Sequence, residues 1–110
     1  MSTRKETVQH LLSQLEPLDV RSRAMFGEYA LYLGEKLVAL ICADTLFLKP
    51  TEAASEYQDQ LTLAPPYPGA KDYLAVGADL IDDPERLQAL VAATTDLVPA
   101  PKPRRARASR

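Results

Sequence analysis

The chain is poor in the residues that carry most recognisable chemistry. Its 110 residues include no tryptophan, two phenylalanines, one cysteine, one histidine and four glycines. A single cysteine, Cys42, excludes an internal disulfide and fits a reducing compartment. One histidine and one cysteine among scattered acids give no metal-ligand spacing, and no glycine-rich loop is present to cradle a phosphate. No apolar run approaches the roughly 20 residues that cross a bilayer. The first residues, Met1 to Glu6, lead into a polar amphipathic segment and not into the apolar core of a signal peptide. The expectation is a cytoplasmic protein with no membrane contact, no metal and no cofactor.

Charge is low overall but unevenly placed. The net value of −2 combines 13 basic and 15 acidic residues. Five of the basic ones, Lys102, Arg104, Arg105, Arg107 and Arg110, follow Ala100. Setting them aside leaves eight basic residues against all 15 acids, a body charge of −7. An acidic body is a poor non-specific binder of nucleic acid, because phosphate contacts need surface Lys and Arg. Beyond Pro99 the composition is Pro, Ala, Lys and Arg with one serine, too little apolar payload to offset ordering entropy. Two parts are expected, a domain over 1–98 and a disordered basic tail over 99–110. Any nucleic-acid contact is expected through that tail alone, by phosphate charge without sequence readout.

Periodicity predicts an α+β fold. Thr3-Arg4-Lys5-Glu6 fits a capping box, and Val8, Leu11, Leu12 and Leu15 then share one helical face. His10 lies on the opposite side and should meet solvent. Pro17 ends the helix, and Leu18 to Arg23 reads as a short connection. Met25 to Leu33 reads as one strand, with Met25, Gly27, Tyr29, Leu31 and Leu33 on one face and Phe26, Glu28, Ala30 and Tyr32 on the other. Gly34 supplies a turn. Leu37 to Ala43 is apolar throughout, as in a strand covered on both faces. Asp44-Thr45 turns the chain into Leu46-Phe47-Leu48-Lys49, and such short connections imply an antiparallel meander. Thr51 should cap a second helix that buries Ala53, Ala54, Tyr57 and Leu61. Strand signals return at Tyr73 to Val76. Asp83-Pro84-Glu85 opens a last helix with Leu87, Leu90, Val91 and Leu97 as its buried stripe.

The pattern Arg23-x-Met25-Phe26-Gly27-x-Tyr29-x-Leu31-Tyr32 resembles the TfoX/Sxy N-terminal domain family. Leu46-Phe47-Leu48-Lys49, Tyr67-Pro68 and Asp83-Pro84-Glu85 fit the same family in the same order, so the resemblance covers about residues 5 to 97. It implies an α-β-β-β-α-β-β-α order, similar to secretion-chaperone folds, with the missing strand drawn from Gln60 to Ala64. Arg23, Met25, Phe26, Gly27, Tyr29, Tyr32 and Lys49 are the family-motif positions. The sequence departs from the family at Glu28 and Ala30, where glycines are common, and at Leu90, where tryptophan is usual. Full-length members regulate DNA-uptake genes and carry a second, helical domain; here a basic tail follows instead. The resemblance implies a non-enzymatic binding module of transcriptional regulation, or an escort for another protein.

No catalytic constellation competes with that reading, since no acid–base or nucleophile pair is visible. Cys42 sits mid-strand among apolar residues, a structural setting and not the electropositive one a reactive thiol needs. The second sheet face has more to offer. Simple alternation places Phe26, Ala30, Tyr32, Val38, Leu40, Cys42 and Phe47 on it, and few helices remain to cover them. Phe26, Tyr32, Val38, Leu40 and Phe47 are therefore the expected interface, for a homodimer or for a protein of the transcription machinery.

Overall fold

A computed structural model describes residues 3–25 and 28–98. Helix α1 (Lys5–Gln14) leads into strands β1 (Val20–Met25), β2 (Glu28–Leu33), β3 (Lys36–Cys42) and β4 (Thr45–Leu48). A 3₁₀ helix (Glu52–Gln60) carries the chain to β5 (Leu61–Ala64) and β6 (Tyr73–Val76), followed by α2 (Ala78–Ile81) and α3 (Pro84–Leu97). The six strands form one antiparallel sheet in the order β1-β2-β3-β4-β6-β5. The expected α+β class and antiparallel meander are both present. The strand drawn from Gln60 to Ala64 is β5, and it sits beyond β6 because the 3₁₀ helix crosses over from β4. Among the described residues, no helix is long and apolar enough to cross a membrane.

Several local expectations give way to tertiary contacts. Leu18 to Arg23 is not a plain connection, since β1 begins at Val20 and pairs with β2 from Val20↔Leu33 to Met25↔Glu28. Met25 to Leu33 is thus not one strand, since Met25 ends β1 and Glu28–Leu33 is β2. Phe26 and Gly27 lie outside the described residues, as do residues 99–110. The capping box does not form: α1 has Arg4 at its N-cap with no side-chain cap. Thr3 is buried and turns instead to the sheet, its hydroxyl 2.6 Å from Glu28 Oε1 and 3.1 Å from Ile41 O. Asp44, from the β3–β4 turn, takes over the start of α1, accepting from the Arg4 N–H at 2.8 Å and the Thr7 hydroxyl at 2.9 Å. Those donors hold the Asp44 carboxyl below its ordinary value, the Arg4 backbone bond contributing most.

Other caps follow the sequence. Thr51 accepts from the Ala53 N–H and Asp83 from the Arg86 N–H, with Pro84 in the first turn of α3. The second helix is a 3₁₀ segment broken by non-helical backbone at Tyr57. It has no fully buried residue, although Ala53, Ala54 and Tyr57 pack against the core. At the end of α3 the expected stripe stops short, because Leu97 is exposed while Thr94 and Val98 are buried. Three- and four-residue spacing from Leu87 and Leu90 selects Leu90, Val91 and Thr94. Leu97 lies one turn beyond them, and the extended backbone at Val98 turns that residue inward in its place.

The core lies between the sheet and the helices. Val8, Leu11 and Leu15 of the first helical segment, Leu80, and Leu87, Leu90 and Val91 of α3 meet Leu31, Ile41, Leu48 and Leu74 of the sheet. All helical residues that join an apolar cluster join this one. Each such side chain adds roughly 1.5–3 kcal/mol of burial energy, which explains why short strands and a four-residue α2 hold together.

Candidate functional site

Antiparallel partners project to the same side of a sheet, so register alone defines the face opposite the helices. One row across it runs Arg23, Ala30, Leu40, Phe47, Ala75, Thr62. Ala30, Leu40, Cys42 and Phe47 form a second, smaller apolar cluster, with Tyr32, Leu37, Ala64, Tyr73 and Ala75 packed against it. Every one of these residues belongs to a strand, so among the described residues no helix contributes to this cluster.

The expected interface is redistributed by that packing. Val38 is on the other face, fully buried in the main core. A β-bulge between Leu31 and Tyr32 pairs Tyr32 with Leu37 and leaves Val38 unpaired, so alternation fails at that point and Leu37 takes the place expected for Val38. Leu40 and Phe47 are on the expected face but buried, at 5% and 9% exposure, because Tyr32, Leu37 and Tyr73 pack against their cluster. Tyr32 remains half-buried where it was expected. Phe26 lies outside the described residues.

One aromatic residue that sequence reasoning missed joins the surface, and a second lies near it. Tyr73 is half-buried, and burial raises its phenol above the ordinary value, helped by the nearby Tyr67 and Cys42. Tyr67 is about half exposed. The signal for Tyr73 was available, since Tyr73 and Ala75 alternate with the buried Leu74 and Val76. Nothing local points to Tyr67, which lies in the proline-rich connection. Cys42 is a free, buried thiol, raised above the ordinary thiol value by burial first and by the Glu28 carboxylate second. It has the electrostatics of a structural cysteine, not of a nucleophile.

Cationic residues stand on two sides of this cluster. Arg23 pairs in register with Ala30, and Arg21 with Tyr32; both arginines are exposed. The Arg21 guanidinium donates to Gly34 O at 2.9 Å, which holds it at the edge of the face. Lys49 and Tyr73 line one shallow depression of about 380 Å³ with Lys71, Asp72 and Val98. Of the family-motif positions, Arg23, Tyr32 and Lys49 are thus grouped at this surface, while Tyr29 packs into the main core.

The other conspicuous cleft, about 490 Å³, lies on the helix side between α1, the β3–β4 turn and α2. Asp44 in it is engaged with Arg4 and Thr7, and His10 lies 3.8 Å from Asp82. Both members of the His10–Asp82 pair are largely exposed, as expected for His10. No group of three or more His, Cys, Asp or Glu among the described residues is placed to hold a metal ion.

Comparison with known proteins gives a consistent picture. The family model described as the TfoX N-terminal domain matches residues 10–97. A protein of Spirochaeta aurantia, described as an uncharacterized 12.7 kDa protein in the trpE 5' region, is 43% identical over 108 residues, covering 97% of this chain and 93% of its own.

Proposed function

The chain belongs to the TfoX N-terminal domain family, and we propose that it is a non-enzymatic docking module that takes part in transcriptional regulation through protein–protein contacts. The observation that supports this reading is the helix-free sheet face. Tyr32, Leu37 and Tyr73 present apolar surface there, with Arg21 and Arg23 on the neighbouring edge strand and Lys49 beside Tyr73. Tyrosine and arginine supply much of the energy at protein interfaces, because each joins a large contact area to a polar tip. A rigid sheet beneath them lowers the ordering cost of binding. The partner of this reading is a component of the transcription machinery, met in the cytoplasm.

The test is affinity capture from native cell extract with the full chain and with an Arg23→Glu/Tyr32→Glu double variant. Circular dichroism first establishes that the variant is folded. A transcription factor or RNA polymerase is expected with the wild-type chain and lost with the variant. Equal recovery by both chains would remove the face from the proposal. Recovery of a single unrelated client would point to an escort role instead.

A further inference from the structure

The two outer strands of the sheet differ in a way that bears on binding. β1 is protected: Arg21 and Arg23 stand along it, both exposed, and charge on an edge strand discourages pairing with another chain. β5 reads Leu61-Thr62-Leu63-Ala64, without charge, and no described strand lies on its outer side. The Gly77 N–H donates to Gln60 O at 2.9 Å. Bonded pairs alternate along an antiparallel ladder, so Thr62 and Ala64 turn their backbone groups to β6 and Leu61 and Leu63 turn theirs outward. The Leu61 N–H is taken by Gln58 O. Leu61 O, Leu63 N–H and Leu63 O have no backbone partner among the described residues.

Side chains around this edge are equally specific. Leu63 is 60% exposed although its register partner Leu74 is buried. It borders a groove of about 370 Å³ between the 3₁₀ helix and β5, lined also by Ala54, Gln58, Leu61 and Glu52. A second depression, beside Thr62, carries Asp59 and Asp79. No Lys or Arg lines either one.

We infer that β5 receives an extended peptide segment of a partner protein as a seventh strand. Its backbone bonds Leu61 and Leu63, an aliphatic side chain at an alternate position packs beside Leu63 in the groove, and flanking Lys or Arg residues face Glu52 and Asp59. Added strands of this kind take affinity from main-chain bonds and specificity from alternate side-chain pockets. A second copy of the chain is the poorer occupant. A four-residue seam falls short of the roughly 1,200 Å² of a stable interface, and a two-fold axis on β5 would bring two acidic 3₁₀ helices to the same side. Residues 99–110 carry the charge but, beyond proline, only alanine as apolar side chains. Leu63 and its groove lie at the opposite edge of the sheet from the Arg21 and Arg23 strand that pairs with Tyr32, so either site can fail while the other stands.

The experiment is selection from a random-peptide library on the full chain and on its Leu63→Lys and Tyr32→Glu variants. Titration of the isotope-labelled full chain with a synthetic selected peptide follows, read by amide chemical shifts. Enriched peptides are expected to alternate aliphatic residues between basic flanks and to shift the Leu63 amide. Their binding should weaken by about tenfold or more in Leu63→Lys and persist in Tyr32→Glu. Leu63 is exposed, so its replacement leaves folding intact. No enrichment, or enrichment indifferent to Leu63→Lys, overturns the inference. So does displacement of the selected peptide by a synthetic copy of residues 99–110 at equal concentration, or a dimer by sedimentation that Leu63→Lys dissolves.

Discussion

The helix-covered and helix-free faces of the sheet are supplied by alternate residues of the same strands, yet they are packed with side chains of different size. Toward the helices the strands send Leu31, Ile41, Leu46, Leu48 and Leu74, which fill the space between two layers. Away from them they send Ala30, Cys42 and Ala75 beside Leu40 and Phe47, closed over by tyrosines and rimmed by arginines. One face stores the stability, and the other keeps a thin apolar layer with polar tips. A strand can therefore serve core and surface together, provided the period of two is kept.

Truncation is the strongest way to break this comparison. Leu90→Ala, in α3 over the sheet, should cost about 3–5 kcal/mol, because the residue is fully buried and its cavity is walled by two layers. Leu40→Ala on the other face should cost nearer 2 kcal/mol, since a cluster bounded by half-buried tyrosines collapses more easily. Urea denaturation of both variants measures the difference; equal losses would mean that the two faces share the stability evenly.

A smaller effect sharpens the helix side. The Thr94 hydroxyl is fully buried and has no hydrogen-bond partner among the described residues. Thr94→Val keeps the shape and removes the desolvated oxygen, so stability should rise by about 1 kcal/mol. A loss of stability on denaturation would show that the hydroxyl is satisfied in solution.

Proton linkage should distinguish the helix-free side, and here the effect is smallest. Cys42 and Tyr73 are both held above their ordinary values of 9.0 and 10.0, chiefly by burial. The unfolded chain therefore releases these protons first as pH rises. Stability is fully present below the ordinary thiol value and declines above it. Denaturation midpoints across the alkaline range should fall, and Cys42→Ala should flatten the first part of the decline. An unchanged slope in that variant would remove the thiol from the account.

Legibility in the sequence followed the strength of local signals. The apolar run Leu37 to Ala43 announced a doubly covered strand, and Val38 to Cys42 are buried without interruption. Asp83-Pro84 announced α3, and Thr51 its own cap. β1 was hidden because an edge strand needs little apolar content, and Arg21, Ser22 and Arg23 interrupt what it has. The helix-free face was half legible. Tyr32 and the general face came from alternation, but Leu37 came from a bulge, and Tyr67 from a connection whose path no period describes. Leu63 was read as part of a strand, and its exposure follows only from where the 3₁₀ helix stops.

By itself, the sequence determined the class of the fold, the position of most elements, the absence of a disulfide and the family pattern, because these rest on period, caps and composition within a few residues. Tertiary structure alone decided that Thr3 would leave its helix for Glu28, that Val38 would change faces, and that β1 and β5 would be the two outer strands of the sheet. Those outcomes turn on competition between partners as far apart as Thr3 and Ile41, and no local pattern ranks such partners until the chain has brought them together.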